Sequence, residues 1–226
     1  MKLSIIIPSY NEAATLALAI KRVKQVNLGK VTKEIIIVDD GSTDGTRKKL
    51  AKIKGVTKIF FPKNRGKGSA IRAGLRRASG GYVLIQDADL EYDPQDIPDL
   101  LAPVLSGKGE VVYGSRFLGP HKNMLYWHLV GNQLLSFMTN LLFNTTISDM
   151  EVGYKLIPTK LLKSLKLESN RFGFEPEVTA KILRSGIRIF EVPISYAGRE
   201  FSQGKKITWK DGLQAIWLLW KYRLAS

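Results

Sequence analysis

Short apolar segments alternate with amphipathic segments along the first hundred residues. The apolar segments are rich in β-branched residues, as expected of buried parallel strands, and cover 3–7, 34–38, 57–61 and 82–86. Residues 11–26 and a stretch that reaches about residue 78 have the composition and spacing of helices. Strands that alternate with helices predict an α/β fold with a doubly wound, mostly parallel, Rossmann-like sheet flanked by helices.

The second half is less regular. Strands are predicted at 110–113 and 187–192, with helices at 176–184 and 210–223. The apolar segment 124–143 is long enough to cross a bilayer, but its interior contains four polar residues that disfavour crossing: His128, Asn132, Gln133 and Asn140. We therefore predict an amphipathic helix that packs on the domain or lies in a membrane interface.

The last predicted helix carries Trp217 and Trp220 beside Lys210, Lys221 and Arg223. Tryptophan near basic residues suits the headgroup zone of a membrane, and it equally suits a helix that packs on a core. Both interpretations stay open from the sequence.

Composition narrows the chemistry. The 226 residues are enough for one α/β domain with a full core. With no cysteine and only two histidines, disulfides and thiolate metal sites are excluded and a zinc site is disfavoured. Any metal must be held by carboxylates, which favours Mg²⁺ or Mn²⁺. The net charge of +15 indicates either an anionic partner, such as nucleic acid, anionic lipid or a phosphorylated substrate, or a solvated basic surface that keeps the protein soluble.

Polar clusters follow the predicted strands at the points where they end. They are the segments 8–11, 39–40, 64–68 and 87–89. Ligands on doubly wound sheets bind beyond the carboxyl ends of the strands. The placement therefore predicts that these clusters form one site.

Asp87 and Asp89 flank a single alanine at the end of a predicted strand. Two such carboxylates can share a divalent cation, which in turn neutralises a diphosphate. Glu91 supplies a third oxygen donor nearby. We predict a metal site made of Asp87, Asp89 and Glu91.

Asp39 and Asp40 follow another apolar strand, where a carboxylate can accept hydrogen bonds from a base or a ribose hydroxyl. The alternative is that one of them caps the next helix, a task that Ser42 or Thr43 could also perform. We predict one binding and one structural aspartate.

Arg65, Lys67 and Arg72 surround Gly66 and Gly68. Glycine lets backbone N–H groups approach a phosphate, and the cations match its charge. The spacing is not that of a P-loop, and no Gly-x-Gly-x-x-Gly follows the first strand, which argues against a nicotinamide enzyme.

The ordered motifs resemble the family 2 glycosyltransferases with the GT-A fold. The matching segments are Pro8-Ser9-Tyr10-Asn11-Glu12, Asp39-Asp40-Gly41-Ser42, Asn64-Arg65-Gly66-Lys67-Gly68 and Asp87-Ala88-Asp89. Segments 114–116, 148–155, 172–175 and 191–194 resemble the dolichol-phosphate mannose synthase branch. The resemblance covers roughly residues 3–212. It implies a single domain over 1–226, with a nucleotide-sugar-binding half at 1–115 and an acceptor-binding half at 116–226 that ends in an amphipathic helix.

The resemblance implies roles for the matching positions. The nucleotide-sugar is expected to contact Pro8, Tyr10, Glu12, Asp39, Asp40, Lys67, Arg72 and Asp87. The resemblance places Asp89 on the metal and Arg116 on the acceptor phosphate. Arg199 with Lys205 or Lys206 resembles a phosphate-gripping segment of the branch, although its spacing is shifted and its serine is lost.

These expectations define a function. We expect an inverting, Mg²⁺- or Mn²⁺-dependent transfer of a sugar from a nucleotide-sugar of the GDP-mannose or UDP-glucose type to a polyprenyl phosphate. The protein is expected to be cytoplasmic and peripheral on the inner face of the cell membrane, because its N-terminus resembles no signal peptide and no membrane span follows the domain.

Three alternatives remain. A related transferase with a saccharide or other hydroxyl acceptor needs a carboxylate base, for which Asp149 or Glu175 is the candidate. A non-catalytic nucleotide- or membrane-binding module has no need for Asp87 and Asp89. Nucleic-acid binding is disfavoured because no motif for it is present.

Overall fold

The computed structural model of the chain describes residues 1–199 and 209–224. Seven strands form one sheet: β1 (Lys2–Ser9), β2 (Thr32–Asp39), β3 (Thr57–Phe60), β4 (Tyr82–Ile85), β5 (Val111–Ser115), β7 (Lys155–Pro158) and β8 (Ile189–Pro193). The short strands β6 (His121–Lys122) and β9 (Tyr196–Ala197) pair separately. The helices are α1 (Leu16–Gln25), α2 (Thr46–Lys52), α3 (Lys67–Arg77), α4 (Ile97–Leu105), α5 (Tyr126–Phe143), α6 (Thr159–Ser164), α7 (Phe174–Arg184) and α8 (Trp209–Leu224).

The sheet has the order β3-β2-β1-β4-β7-β5-β8, and only β7 runs antiparallel to its neighbours. The predicted mostly parallel α/β sheet is therefore confirmed. Strand β7 was not predicted, and it joins β4 to β5. The sheet thus combines strands from both sides of residue 115, and the division into two functional halves stays a prediction.

The core explains why the strand segments are so apolar. The β1 residues Leu3, Ile5, Ile6 and Ile7 are fully buried because helices cover the sheet. Complete burial of such side chains is worth roughly 1.5–3 kcal/mol each. The first helix begins at Leu16 rather than Asn11, because Asn11 has a positive φ of 54° and the chain turns there.

A second apolar cluster joins the last helices. Leu135 of α5, Ala180 of α7 and Leu219 of α8 are buried together in it. The rest of α5 is largely exposed, so the predicted amphipathic helix is present and packs along one side only. Within the described ranges, no helix is both long and apolar enough to span a membrane.

Candidate active site

The carboxyl ends of β1, β2, β4 and β5 open onto one cavity of about 840 Å³. Many of the site residues predicted from the sequence line this cavity: Pro8, Tyr10, Glu12, Asp40, Lys67, Asp87, Asp89, Glu91, Arg116 and Arg199. The predicted convergence of the polar clusters is therefore observed. Parallel strands that end at the same edge explain it.

Asp40 holds the glycine-rich loop at the rim. Its two carboxylate oxygens accept the backbone N–H groups of Arg65 at 2.7 Å and Gly66 at 2.8 Å. Burial raises the pKa of Asp40 above its usual value, although these two hydrogen bonds oppose the change. Gly66 adopts a φ of +93°, and a Cβ there would collide with Asn170, so the loop packs tightly on residues 169–171.

Two predicted donor-binding residues do not line the cavity. Asp39 is fully buried and pairs with Arg47 at 3.1 Å. Arg72 donates to the carbonyl of Ser169 and, at 2.5 Å, to Asn170 Oδ1. Both side chains brace neighbouring segments in this structure. The sequence contains no local feature that distinguishes such bracing from ligand contact.

Lys67, the first residue of α3, joins two carboxylates inside the cavity. Its Nζ lies 2.9 Å from Asp87 Oδ1 and 2.9 Å from Glu175 Oε1. Burial alone lowers the pKa of Lys67, but the two carboxylates outweigh it and raise the pKa well above its ordinary value. Lys67 therefore keeps its positive charge.

The segment after β4 turns sharply to present Asp89 and Glu91. Leu90 between them has a positive φ of 68°, which is rare and costly for a branched side chain. Asp89 accepts the N–H of Glu91 at 3.1 Å and pairs with Arg199 at 3.1 Å. Burial and the nearby Asp87 and Glu91 carboxylates raise the pKa of Asp89.

Arg199 fills the space between three acidic side chains. Its guanidinium lies 3.3 Å from Glu12 Oε2 and 3.1 Å from Asp89 Oδ2, and its backbone N–H donates to Glu91 at 3.2 Å. Glu91 also accepts the Tyr196 hydroxyl at 3.1 Å. The remaining predicted phosphate ligands, Lys205 and Lys206, lie outside the described residues.

The carboxylates of Asp87 and Asp89 have the donor chemistry of a Mg²⁺ or Mn²⁺ site. In the part of the chain that the structure describes, no three acidic or histidine side chains converge as a metal ion requires. Lys67 and Arg199 neutralise the two aspartates instead. The pair fits a cation whose other ligands come from a diphosphate, and Glu91 as a third ligand stays a prediction.

Arg116 is held rigidly at the cavity wall by Asp149. The guanidinium donates twice to the fully buried carboxylate, at 2.7 Å from Nε and 2.7 Å from Nη2, and the Arg116 backbone N–H donates at 3.0 Å. The backbone around Asp149 is held in turn by Glu191, which accepts the N–H groups of Ser148 and Asp149. Among the described residues, the three hydrogen bonds that the Asp149 carboxylate accepts all come from Arg116, which favours the structural interpretation of this acid over a base.

Glu151 is an acidic cavity residue to which the sequence analysis gave no role. It lines the cavity three residues after Ser148, and its Oε1 is buried with no hydrogen-bond partner among the described residues. The signal available in the sequence was an acid between two apolar residues, Met150 and Val152.

Comparison with known proteins identifies the family. The family description "Glycosyl transferase family 2" matches residues 4–166. The chain belongs to glycosyl transferase family 2. It is therefore a glycosyltransferase, as the ordered motifs predicted.

Two curated relatives extend over most of this family 2 chain. The undecaprenyl-phosphate mannosyltransferase of Micrococcus luteus is 31% identical over 219 residues, which cover 91% of this chain and 87% of the relative. Glycosyltransferase AglJ of Haloferax volcanii is 30% identical over 86% of this chain and 63% of the relative.

Solved structures support the fold. Glucosyl-3-phosphoglycerate synthase of Mycobacterium tuberculosis, crystallised with Mn²⁺, UDP and phosphoglyceric acid, superposes with a TM-score of 0.76. The match covers 100% of this chain and 79% of that one at 24% identity. The predicted GT-A fold of this family 2 enzyme is confirmed.

Proposed function

We propose that this family 2 enzyme transfers a hexose from a nucleotide-sugar to a polyprenyl phosphate at a membrane surface. The observation that carries the proposal is the position of Arg116, which Asp149 fixes at a cavity whose outer wall is apolar. The Micrococcus luteus relative is named for transfer to such a lipid phosphate, which supports the same acceptor class.

The polar end of the cavity suits the donor. Pro8, Tyr10 and Asp40, which we expect to contact the base and ribose, line this cavity, and Lys67 supplies a permanent cation beside Asp87. Asp87 and Asp89 are the residues that would hold Mg²⁺ or Mn²⁺. When bound, the ion supplies positive charge that stabilises the leaving nucleoside diphosphate.

The acceptor needs no general base. A lipid phosphate is an anion at neutral pH, so its oxygen attacks the anomeric carbon directly while the bond to the diphosphate breaks and the electron pair leaves with the nucleotide. Arg116 can bind and orient that phosphate because its guanidinium matches a phosphate in charge and geometry. Attack from the face opposite the leaving group inverts the anomeric carbon.

The apolar lip of the cavity suits a polyprenyl chain. Trp127 and Leu134 of α5 and Leu213 of α8 line the cavity and are also at least half exposed to solvent. Phe137 and Leu141 continue the same face of α5, with exposures of 60% and 67%. Exposed apolar residues in one stripe mark an interaction surface.

We assign this surface to the cytoplasmic face of an anionic membrane. Trp127, Phe137 and Trp217 offer the aromatic side chains that favour the headgroup zone. Lys221 and Arg223 lie in the last turn of α8, and the net charge of +15 favours binding to anionic lipid. A lipid acceptor could then enter the cavity from the bilayer without passing through water.

A transfer assay tests the proposal. Purified enzyme, Mn²⁺ or Mg²⁺ and a panel of labelled nucleotide-sugars are mixed with undecaprenyl phosphate, and label in the organic phase is counted. One donor should label the lipid, Asp89→Asn should abolish the labelling, and the exposed control Asp99→Asn should retain it. Metal-dependent binding or hydrolysis of one donor with no label on the lipid would overturn the acceptor assignment.

A further inference from the structure

The turn that carries Asp149 is held by side chains. Its four consecutive backbone N–H groups, at residues 147–150, all donate to side chains of α5 or β8. Most hydrogen bonds of backbone N–H groups in proteins go to other backbone groups, so four in succession on side chains are unusual. The side chains that accept these four bonds therefore set the position of the turn.

Helix α5 supplies two of the acceptors. Asn140 Oδ1 accepts the Ile147 N–H at 2.9 Å, and Asn140 Nδ2 donates to the Ile147 carbonyl at 2.9 Å. Ser136, one helical turn before Asn140, accepts the Met150 N–H at 3.0 Å. Ile147 and Met150 are also buried in the apolar cluster that joins α5, α7 and α8. Both ends of the turn are thus fixed to α5.

Strand β8 supplies the third acceptor. Glu191 accepts the Ser148 N–H at 2.8 Å, the Ser148 hydroxyl at 3.0 Å and the Asp149 N–H at 3.1 Å. The Asp149 side chain then accepts two hydrogen bonds of 2.7 Å from the Arg116 guanidinium. A shift of the turn therefore shifts the guanidinium with it.

A phosphate-binding arginine has to be held closely. A binding group works well only within about 0.5 Å of its productive position, and a free arginine side chain has many rotamers. Asn140 is one of the polar residues that interrupt the apolar segment 124–143. In the structure its side chain binds the Asp149 turn, while Phe137 and Leu141 of the same helix are exposed.

We propose that Asn140 and Glu191 are positioning residues for the acceptor phosphate, because together they hold the Asp149 turn and so fix the guanidinium of Arg116. The inference rests on the proposed function, since it takes Arg116 as the ligand of the lipid phosphate. Helix α5, which is proposed to lie on the membrane, then also sets the position of the arginine that receives the lipid headgroup.

Steady-state kinetics with Mn²⁺, the labelled donor and undecaprenyl phosphate test this role. Asn140→Leu removes both hydrogen bonds to Ile147 at similar side-chain size. It should raise the KM for undecaprenyl phosphate about 10-fold, while the affinity for the nucleoside diphosphate, measured by calorimetry, stays within about twofold. The control is Met138→Ala, which removes packing from the same cluster and leaves the four hydrogen bonds of the turn in place. It should lower stability in urea without raising this KM.

A double variant distinguishes positioning from a separate effect. In an Arg116→Gln background, Asn140→Leu should change the KM for undecaprenyl phosphate less than about twofold, because its effect acts through the guanidinium.

A graded pair at Glu191 provides an independent test. Glu191→Gln keeps the shape and one acceptor oxygen and should raise the KM about threefold, whereas Glu191→Leu should raise it about 10-fold.

Four results would overturn the inference. An unchanged KM in both Asn140→Leu and Glu191→Leu would remove the positioning role and leave the proposed function intact. A full 10-fold rise from Asn140→Leu in the Arg116→Gln background would show an effect that does not pass through the guanidinium. If Asn140→Leu does not fold, a wild-type KM in Glu191→Gln overturns the inference by itself. Wild-type enzyme that labels no lipid would overturn the proposed function, and the inference with it.

Discussion

The guanidinium of Arg199 lies 3.1 Å from the carboxylate of Asp89, the residue proposed to hold a metal ion. The same guanidinium contacts Glu12 at 3.3 Å. A side-chain cation therefore occupies the acidic end of the cavity, where a divalent cation is expected to act. In this arrangement, a metal ion would compete with Arg199 for the carboxylate of Asp89.

This competition predicts that Arg199→Gln binds metal more tightly in the absence of nucleotide. Removing the guanidinium frees Asp89, and Mn²⁺ affinity should rise about tenfold. Titration of free Mn²⁺ by electron paramagnetic resonance measures it. The control is Arg188→Gln, an exposed arginine bonded to the Asn144 carbonyl. An unchanged or weaker Mn²⁺ affinity in Arg199→Gln would show that the arginine does not compete.

Asp149 is predicted to act through Arg116. Asp149→Asn leaves the buried guanidinium with a neutral partner, so the free energy of unfolding should fall by about 3 kcal/mol. The KM for the lipid acceptor should rise, while the affinity for the nucleoside diphosphate is kept. Steady-state kinetics and urea denaturation measure the two effects. A loss of kcat with unchanged acceptor KM would instead favour a catalytic base.

Gly153 is predicted to be required for the position of Asp87. A Cβ at residue 153 would lie 2.5 Å from Asp87 Oδ2 and 3.0 Å from Tyr92. Gly153→Ala should therefore displace the carboxylate and weaken Mn²⁺-dependent donor binding about tenfold, with a stability cost of about 1–3 kcal/mol. Gly81→Ala, where a Cβ meets nothing within 4 Å, is the control. Normal donor binding by Gly153→Ala would place the metal away from Asp87.

Glu34 is predicted to make the fold sensitive to acid. Burial alone raises its pKa, but hydrogen bonds from Lys2, Ser4 and Ser79 outweigh it and lower the pKa from 4.5 to about 2. The carboxylate therefore stabilises the fold fully above pH 4.5, and this contribution is lost as the pH falls towards 2. Urea denaturation at pH 7 and pH 3 should show a smaller acid loss in Glu34→Gln than in wild type. Equal losses would contradict the assignment.

The exposed face of α5 is predicted to bind anionic membranes. Replacing Trp127 and Phe137 by serine removes two large apolar contacts, so binding to vesicles of phosphatidylglycerol should fall at least about tenfold. Cosedimentation at low salt measures it. Leu105→Ser, an exposed change on α4, is the control. Wild-type protein that stays in the supernatant at low salt would contradict the membrane assignment.

The sequence predicted the strands best where burial was complete. The β1 and β2 strands each contain three consecutive isoleucines, at 5–7 and 35–37, and all six are buried because both faces of a parallel sheet are covered. Strand β7 was not predicted because it is short and contains the buried Lys155. It also pairs antiparallel with β4 and β5, two strands that are distant from it in the sequence. Pairing across such distances leaves no local pattern.

The site was predicted to the level of segments and less well to the level of side chains. Asp87, Asp89 and Arg116 reach the cavity because strand ends meet at one edge of the sheet. Arg72 and Asp39 were expected there too, but each finds a partner in a neighbouring segment. Residue type and spacing do not specify which way such a side chain turns.

Competition between two lipids tests the central claim most directly. Wild-type enzyme receives its labelled nucleotide-sugar, Mn²⁺ and equal amounts of undecaprenyl phosphate and undecaprenol, and the products are separated. We predict label on the phosphate alone, and at least a 10-fold loss of that product in Arg116→Gln. Equal labelling of the alcohol, or full activity of Arg116→Gln, would contradict an acceptor phosphate bound at Arg116.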